Sequence, residues 1–203
     1  MNIALIGVSG RVGSRLLAEL LRRGHRVTGI ARDTSKLASQ PQLVLKNGDA
    51  NQPAQLAPLL AGHDAVLSAL KFATSDAAAL ITAVKQAGVD RLLVVGGAGS
   101  LEVAPGRALL DTPDFPAAYR HEAEAGRRFL DTLRTERTLD WTFLSPSAEF
   151  VPGERTGKFR LGGDQLLADA NGRSWISMED YAIAFVDELE TPKHSRQRFT
   201  VGY

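Results

Sequence analysis

Residues Ile3-Ala4-Leu5-Ile6-Gly7-Val8-Ser9-Gly10-Arg11-Val12-Gly13 decide the fold. An unbroken apolar run ends at Gly7, and from Arg11 to Arg23 the apolar side chains recur at helical spacing, so the glycines occupy a strand-to-helix turn. Glycine lets the backbone turn sharply, approach an anion closely and pack the helix on its strand, while unpaired N–H groups at the helix start attract negative charge. The spacing is Gly-x-x-Gly-x-x-Gly, one residue wider in its first gap than the Gly-x-Gly-x-x-Gly of many dinucleotide-binding domains. Such a turn also serves packing alone. Its place between a buried strand and an amphipathic helix points instead to a nucleotide.

Working outward, strand-like and helix-like segments alternate with short connections, an arrangement that demands a parallel sheet with helices on both faces. Strands are expected at 2–6, 26–31, 43–46, 64–69, 90–95 and 140–145, and helices at 11–23, 53–61, 74–87 and 116–135. The fold class is thus α/β, a doubly wound sheet of the Rossmann type, with ligand-lining loops starting at Gly7, Arg32, Asp49, Ala69, Gly96 and Pro146. After Pro146 the alternation breaks. Lys158–Leu161 and Gln165–Ala168 flank a Gly162-Gly163-Asp164 turn and suggest a hairpin; Ser177 starts a helix running to about Leu189, and 198–201 returns as a strand. The whole chain, 1–203, is expected to be a single domain, with 147–203 forming a small appendage and lid on the substrate side.

Composition narrows the function classes. Lys plus Arg number 24 against 23 Asp plus Glu, so no global field favours nucleic acid or a membrane surface. Residues 1–36 hold seven basic side chains against Glu19 and Asp33, a balance suited to a polyphosphate ligand at this end. The absence of cysteine removes disulfides, thiolate metal sites and cysteine nucleophiles, and His25, His63 and His194 lie apart in sequence without metal-ligand spacing, so no metal is expected. No apolar run approaches a membrane span and no signal-peptide layout opens the chain, which makes a cytoplasmic protein the expectation.

The residue closing the second strand reads the adenosine ribose. An acid there accepts from a 2′-hydroxyl, whereas an arginine pairs with a 2′-phosphate. This strand ends in Arg32, which favours NADP over NAD. Asp33 reads as a helix N-cap ahead of Thr34-Ser35-Lys36, and Asp49 as either an adenine contact or an Asx turn.

Together with Val94-Val95-Gly96-Gly97-Ala98-Gly99-Ser100, Trp141–Pro146, Pro152–Gly157 and Ile176–Ala182, these features resemble the atypical short-chain dehydrogenase/reductases. Within them the chain is most similar to the NmrA-like and biliverdin reductase B-like NAD(P)H-flavin reductases, over nearly its whole length. The resemblance implies diphosphate contacts from Gly7, Ser9, Gly10, Arg11, Val12 and Gly13, a 2′-phosphate contact from Arg32, and adenine contacts from Asp49 and Ala50. It further implies Ala69, Leu70 and Lys71 on the ribose side, with Gly97, Ala98, Gly99, Pro146 and Ser147 around the nicotinamide.

The departure from the family pattern bears on chemistry. Ordinary short-chain dehydrogenases pair a serine with Tyr-x-x-x-Lys, the lysine lowering the tyrosine pKa for proton exchange with an alcohol or carbonyl. Tyr119 has Ala123 in the lysine position, and Ser100 precedes it by a longer gap than usual. Tyr119 and Ser100 remain the catalytic candidates. Tyr119 shares a helix stripe with Ala123, Gly126, Leu130 and Leu133 and is expected to face inward, whereas His121 is expected to be exposed. Phe72, Phe150 and Trp175, with Phe159 and Glu149, are candidates for an acceptor pocket. Three readings follow: a reductase passing hydride from NADPH to a flavin, quinone or similar conjugated acceptor, with flavin as a substrate; a non-catalytic NADP sensor; and an epimerase-like enzyme on a nucleotide-linked substrate. The partner is a small molecule, and the protein a monomer or homodimer.

Overall fold

The computed structural model describes residues 1–203. Its elements are β1 (Asn2–Ile6), α1 (Arg11–Arg22), β2 (Arg26–Ala31), β3 (Leu43–Asn47), α2 (Pro53–Leu60), β4 (Ala65–Ser68), α3 (Ala77–Gln86), β5 (Arg91–Val95), β6 (Glu102–Ala104), β7 (Arg107–Ala108), α4 (Ala117–Thr135), β8 (Asp140–Pro146), β9 (Glu149–Val151), β10 (Arg160–Gly162), β11 (Trp175–Ser177), α5 (Met178–Glu190) and β12 (Gln197–Gly202). The main sheet runs β10-β12-β8-β5-β4-β1-β2-β3. All neighbours are parallel except β10, which pairs antiparallel with β12. Strand order reverses between β1 and β4, so a crevice opens at their carboxyl ends.

Two cores hold the layers together. Leu56 and Leu60 of α2, Leu80 and Val84 of α3, and Phe129, Leu130 and Leu133 of α4 pack on one face. Leu16 and Leu20 of α1 join Tyr181, Phe185 and Leu189 of α5 on the other. Burial on both faces explains why the central strands read as apolar runs instead of alternating ones.

The doubly wound sheet matches the sequence expectation, with three local corrections. Asp33 starts no helix: its carboxylate accepts from Ser35 N at 2.9 Å, while Asn47 Oδ1 takes Thr34 N at 3.0 Å and Thr34 Oγ1 at 2.8 Å, closing a turn. The helix expected from 74 begins at Ala77, because Asp76 accepts from Ala78 N and Ala79 N, and Phe72–Thr74 forms a separate 3-10 turn. The 158–161 arm does not pair with 165–168. Arg160–Gly162 instead binds β12 at the sheet edge, and β9 pairs with β11 in a separate two-stranded ribbon. The β6–β7 hairpin around Gly106 went unanticipated although Pro105-Gly106 is a turn signal.

Residues 153–157 are strapped to α1 and α5. Glu179 accepts from Gly153 N at 2.8 Å, Ser177 Oγ donates to Glu154 O at 2.8 Å, and the buried Asp180 carboxylate accepts from Gly157 N at 2.8 Å and from the Thr156 hydroxyl. This part of the expected lid is therefore fixed to the scaffold. Arg155 forks onto Glu19, whose carboxylate also takes Arg22 and Arg23 at 2.6 and 2.7 Å. Burial alone would raise the Glu19 pKa, yet hydrogen bonds from Arg22, Arg155 and Arg23 carry it well below the usual carboxylate range.

A lowered folded-state pKa means that the stabilisation is complete above the ordinary carboxylate pKa and is lost as pH falls toward the folded value. Glu19→Gln is therefore expected to cost about 2 kcal/mol at pH 7. The gap between wild type and variant in urea unfolding should shrink steadily below about pH 4.5. A gap independent of pH in that range would assign the loss to packing.

Candidate functional site

The turn after β1 is built by contacts that leave no room for a side chain. Gly7 has φ +83° and donates its amide to Ile30 O at 2.8 Å. A Cβ at Gly7 would lie 2.5 Å from Ala69 O, and one at Gly13 would lie 2.0 Å from Gly7 O. These two glycines join β1, β4 and α1 at backbone distance. At Gly10 a Cβ would stand 3.2 Å from Gly7 O, which is tight but less prohibitive. Gly10 is also the N-cap of α1 and offers no capping side chain, and no acid occupies the first turn. By contrast α3 and α5 are capped by Asp76 and Ser177. The start of α1 is thus left open to an external anion.

Around this turn the carboxyl ends of the strands bring together the residues singled out in the sequence. Arg32, exposed at the end of β2, forms no hydrogen bond or ion pair, and neither does the guanidinium of Arg11. Asp49 makes the Asx turn, accepting from Asn51 N at 3.0 Å, and Ala50 is buried beside it. Asn51 then donates to Thr74 O at 2.9 Å and accepts from Asp76 N at 3.0 Å, tying the loop after β3 to the loop after β4. Ala69 N donates to Ile6 O at 2.9 Å. Lys71 is exposed with no ion-pair partner. Directly after it, Phe72 N and Ala73 N donate to Glu122 of α4 at 2.6 and 3.0 Å.

The loop after β5 is equally confined. A Cβ on Gly99 would lie 2.8 Å from Ala123 Cβ, so α4 presses on Gly97-Ala98-Gly99 at the place where the short-chain dehydrogenase pattern would carry lysine. Tyr119, one turn earlier on the same helix, is 67% exposed, so the inward direction expected from the helical stripe is not met: the buried positions of α4 begin only at Ala125.

The remaining candidates divide between site and core. Ser100 is half-buried, and its Oγ accepts from Arg198 at 3.4 Å. Phe72 is 8% exposed and packed against Phe129 and Phe143 with ring centroids 5.2 and 5.8 Å away, and what remains of its surface lines a cavity of about 300 Å³ together with His121, Arg128 and Phe129. Pro146 is buried in β8, and the Ser147 hydroxyl is spent on Val201 O at 3.0 Å, leaving its side chain unavailable to a ligand. Phe150 rests on Tyr181 at 4.6 Å. Trp175 packs against Tyr203 at 4.3 Å under the guanidinium of Arg173, itself paired with Glu149 at 2.7 Å. His121 is exposed, as expected. Sequence reading missed Asn51, Glu122 and Arg198, which act through other residues and carry no local motif.

A doubly wound sheet with an open helix start, a side-chain-free turn and an unpaired arginine at the second strand fits a dinucleotide. Comparison with known proteins agrees: a family model described as NAD(P)H-binding matches residues 7–192, and the chain belongs to that family. It is 42% identical over 212 residues to the uncharacterized protein YwnB of Bacillus subtilis (strain 168), covering 99% of this chain and 98% of YwnB. A solved structure from Bacteroides thetaiotaomicron, named a "putative epimerase", is 44% identical, with TM-score 0.95 over 100% of this chain and 96% of that one. One from Streptococcus pneumoniae TIGR4, named a "putative NADH-flavin reductase", is 36% identical, with TM-score 0.87 over 100% and 99%. No helix of the protein is long and apolar enough to cross a membrane.

The glycine geometry separates two effects. Gly13→Ala is expected to destabilise the fold by about 3 kcal/mol in urea unfolding, because its Cβ meets backbone that cannot yield. Gly10→Val should leave secondary structure by circular dichroism near wild type and abolish NADPH binding by titration. Wild-type affinity in a folded Gly10→Val protein would remove the turn from the binding site.

Proposed function

We propose that the protein is a reductase that uses NADPH, in preference to NADH, to reduce a flavin, quinone or similar conjugated small molecule. The carrying observation is that Ala123 lies against Gly99 and puts an uncharged methyl group where the short-chain dehydrogenase pattern carries its lysine beside Tyr119. Reduction of a simple carbonyl creates a basic alkoxide and relies on a positioned acid. A conjugated acceptor spreads the arriving charge, so positioning carries more of the barrier. The dinucleotide, when bound, supplies a hydride, and water supplies the proton that completes the reduced acceptor. Gly7 to Gly13 bind the diphosphate, Arg32 the 2′-phosphate, and Asp49 and Ala50 the adenine. Ala69 to Lys71 line the ribose side, Gly97 to Gly99 lie beneath the nicotinamide, and Tyr119 and Ser100 border the acceptor.

Support comes from the NADH-flavin reductase name above and from a relative in Xenophilus azovorans, an NAD(P)H azoreductase 26% identical over 209 residues, covering 98% of this chain and 67% of that protein. The azo bond is another conjugated acceptor. The epimerase name carried by the Bacteroides relative meets the objection that the Tyr-Lys pair for alcohol and carbonyl chemistry is missing here. A sensor that binds NADP without turnover shares every cofactor contact, and anaerobic NADPH oxidation against flavins, quinones, azo compounds and linear tetrapyrroles separates it from a reductase.

Two substitutions test the reading further. Arg32→Ala is expected to weaken NADPH binding by about 1.5–3 kcal/mol and NADH binding far less, measured by fluorescence titration. Equal weakening of both would make Arg32 structural. Tyr119→Phe should keep the single-turnover rate with deuterated NADPH within about tenfold of wild type, whereas an obligatory phenolic acid would cost roughly 10²–10⁴-fold. The larger loss would revive a carbonyl substrate.

A further inference from the structure

Ser100 is the one candidate at the site whose hydroxyl is both reached by a buried charge and left with a proton to give. Its Oγ accepts from Arg198 Nη1 at 3.4 Å, and no other group bonds it. A hydroxyl that accepts from a guanidinium directs its own hydrogen elsewhere. Ser100 is half-buried, at the mouth of the Gly97–Gly99 loop.

Arg198 is placed with unusual care for this. Its side chain is 3% exposed on β12. Asp164, on the turn after β10, takes Nε at 2.6 Å and also binds Nη2. The remaining donors reach Ser100 O at 3.4 Å and Ser145 Oγ at 3.5 Å. Taking a guanidinium out of water is costly, and a single half-exposed aspartate compensates it incompletely.

We infer that Arg198 is a positioning residue that fixes Ser100 as a hydrogen-bond donor to the electronegative atom of the acceptor, with Asp164 holding the guanidinium in place. This rests on the reductase reading and adds to it the group that recognises the acceptor's polar edge. Charge on Arg198 strengthens the donor at short range inside a protein, where screening is weak. The acceptor class is thereby narrowed to conjugated molecules that present a carbonyl oxygen or ring nitrogen beside the reacting atom.

The test is a double-mutant cycle read by two methods. Flavin mononucleotide binding is followed by fluorescence quenching without nicotinamide, and NADPH oxidation by single turnover. Ser100→Ala is expected to weaken flavin binding about tenfold, a size consistent with loss of one charge-assisted hydrogen bond. Arg198→Lys, which retains the charge but not the fork, and Asp164→Asn, at a half-exposed side chain, should each weaken it several-fold. In the Ser100→Ala background both effects should vanish. Effects that multiply in the double variants would make Arg198 merely structural, as would unchanged binding in Asp164→Asn and Arg198→Lys alone. Should Arg198→Lys fail to fold, the Asp164→Asn cycle decides by the same criterion. Absence of wild-type turnover with every acceptor overturns the reductase reading itself; turnover that persists unaltered through the cycle overturns only the role of Arg198.

Discussion

The approach of Gly13 to the Gly7 carbonyl, close enough that a Cβ would sit 2.0 Å from it, is the constraint on which the rest of the molecule hangs. It brings α1 down onto β1 at its first turn. Gly7 in turn lies against Ala69, so the carboxyl ends of β1 and β4 converge at the reversal of strand order. Once those backbones are in contact, the open amide end of α1 points into the crevice between the two halves of the sheet. Any side chain at either glycine would lift the helix away, and the anion site would lose its geometry before the fold lost its topology.

Loops that flank this crevice are coupled to one another as well as to the strands. Asn51 joins the loop after β3 to Thr74 and Asp76, and Glu122 joins Phe72 and Ala73 to α4. Phe72 anchors the same turn from below by packing on Phe129 and Phe143. A segment pinned above by a carboxylate and below by an aromatic core resists displacement, which suits residues that hold a cofactor at fixed spacing. Rigidity on this side contrasts with Tyr119, whose ring projects unsupported.

The sheet was legible because its strands are buried on both faces and its glycine turn is local in sequence. Arg32 and Asp49 were legible for a similar reason, each lying a residue or two beyond a strand end. What stayed hidden depends on long-range partners. Nothing near Arg160 in sequence shows that it pairs with a strand forty residues later, and nothing near Ser147 shows that its hydroxyl belongs to Val201. Phe72 stood out as an aromatic on a loop where a lid would close; only the arrival of α4 shows how much of its ring is packed on Phe129 and Phe143. Tyr119 fitted the helical stripe in angle, but angle alone does not report whether anything packs against that turn of the helix.

The basic excess in the first 36 residues shows how charge should be weighed. Arg15, Arg22 and Arg23 are consumed by Glu179, Glu19, Asp187 and Glu190, and they brace α1 against α5 and the strap at Arg155. Arg26 sits at the start of β2, on the edge of the sheet opposite the crevice. Of the cations that remain unpaired, Arg11 and Arg32 stand at the carboxyl ends of β1 and β2, where the open helix start already favours an anion. A bare count of basic residues therefore says less about a ligand than the position of those left unpaired. Arg198 is the complementary case: a buried cation whose guanidinium is engaged by Asp164, Ser145 and Ser100 rather than left to the solvent.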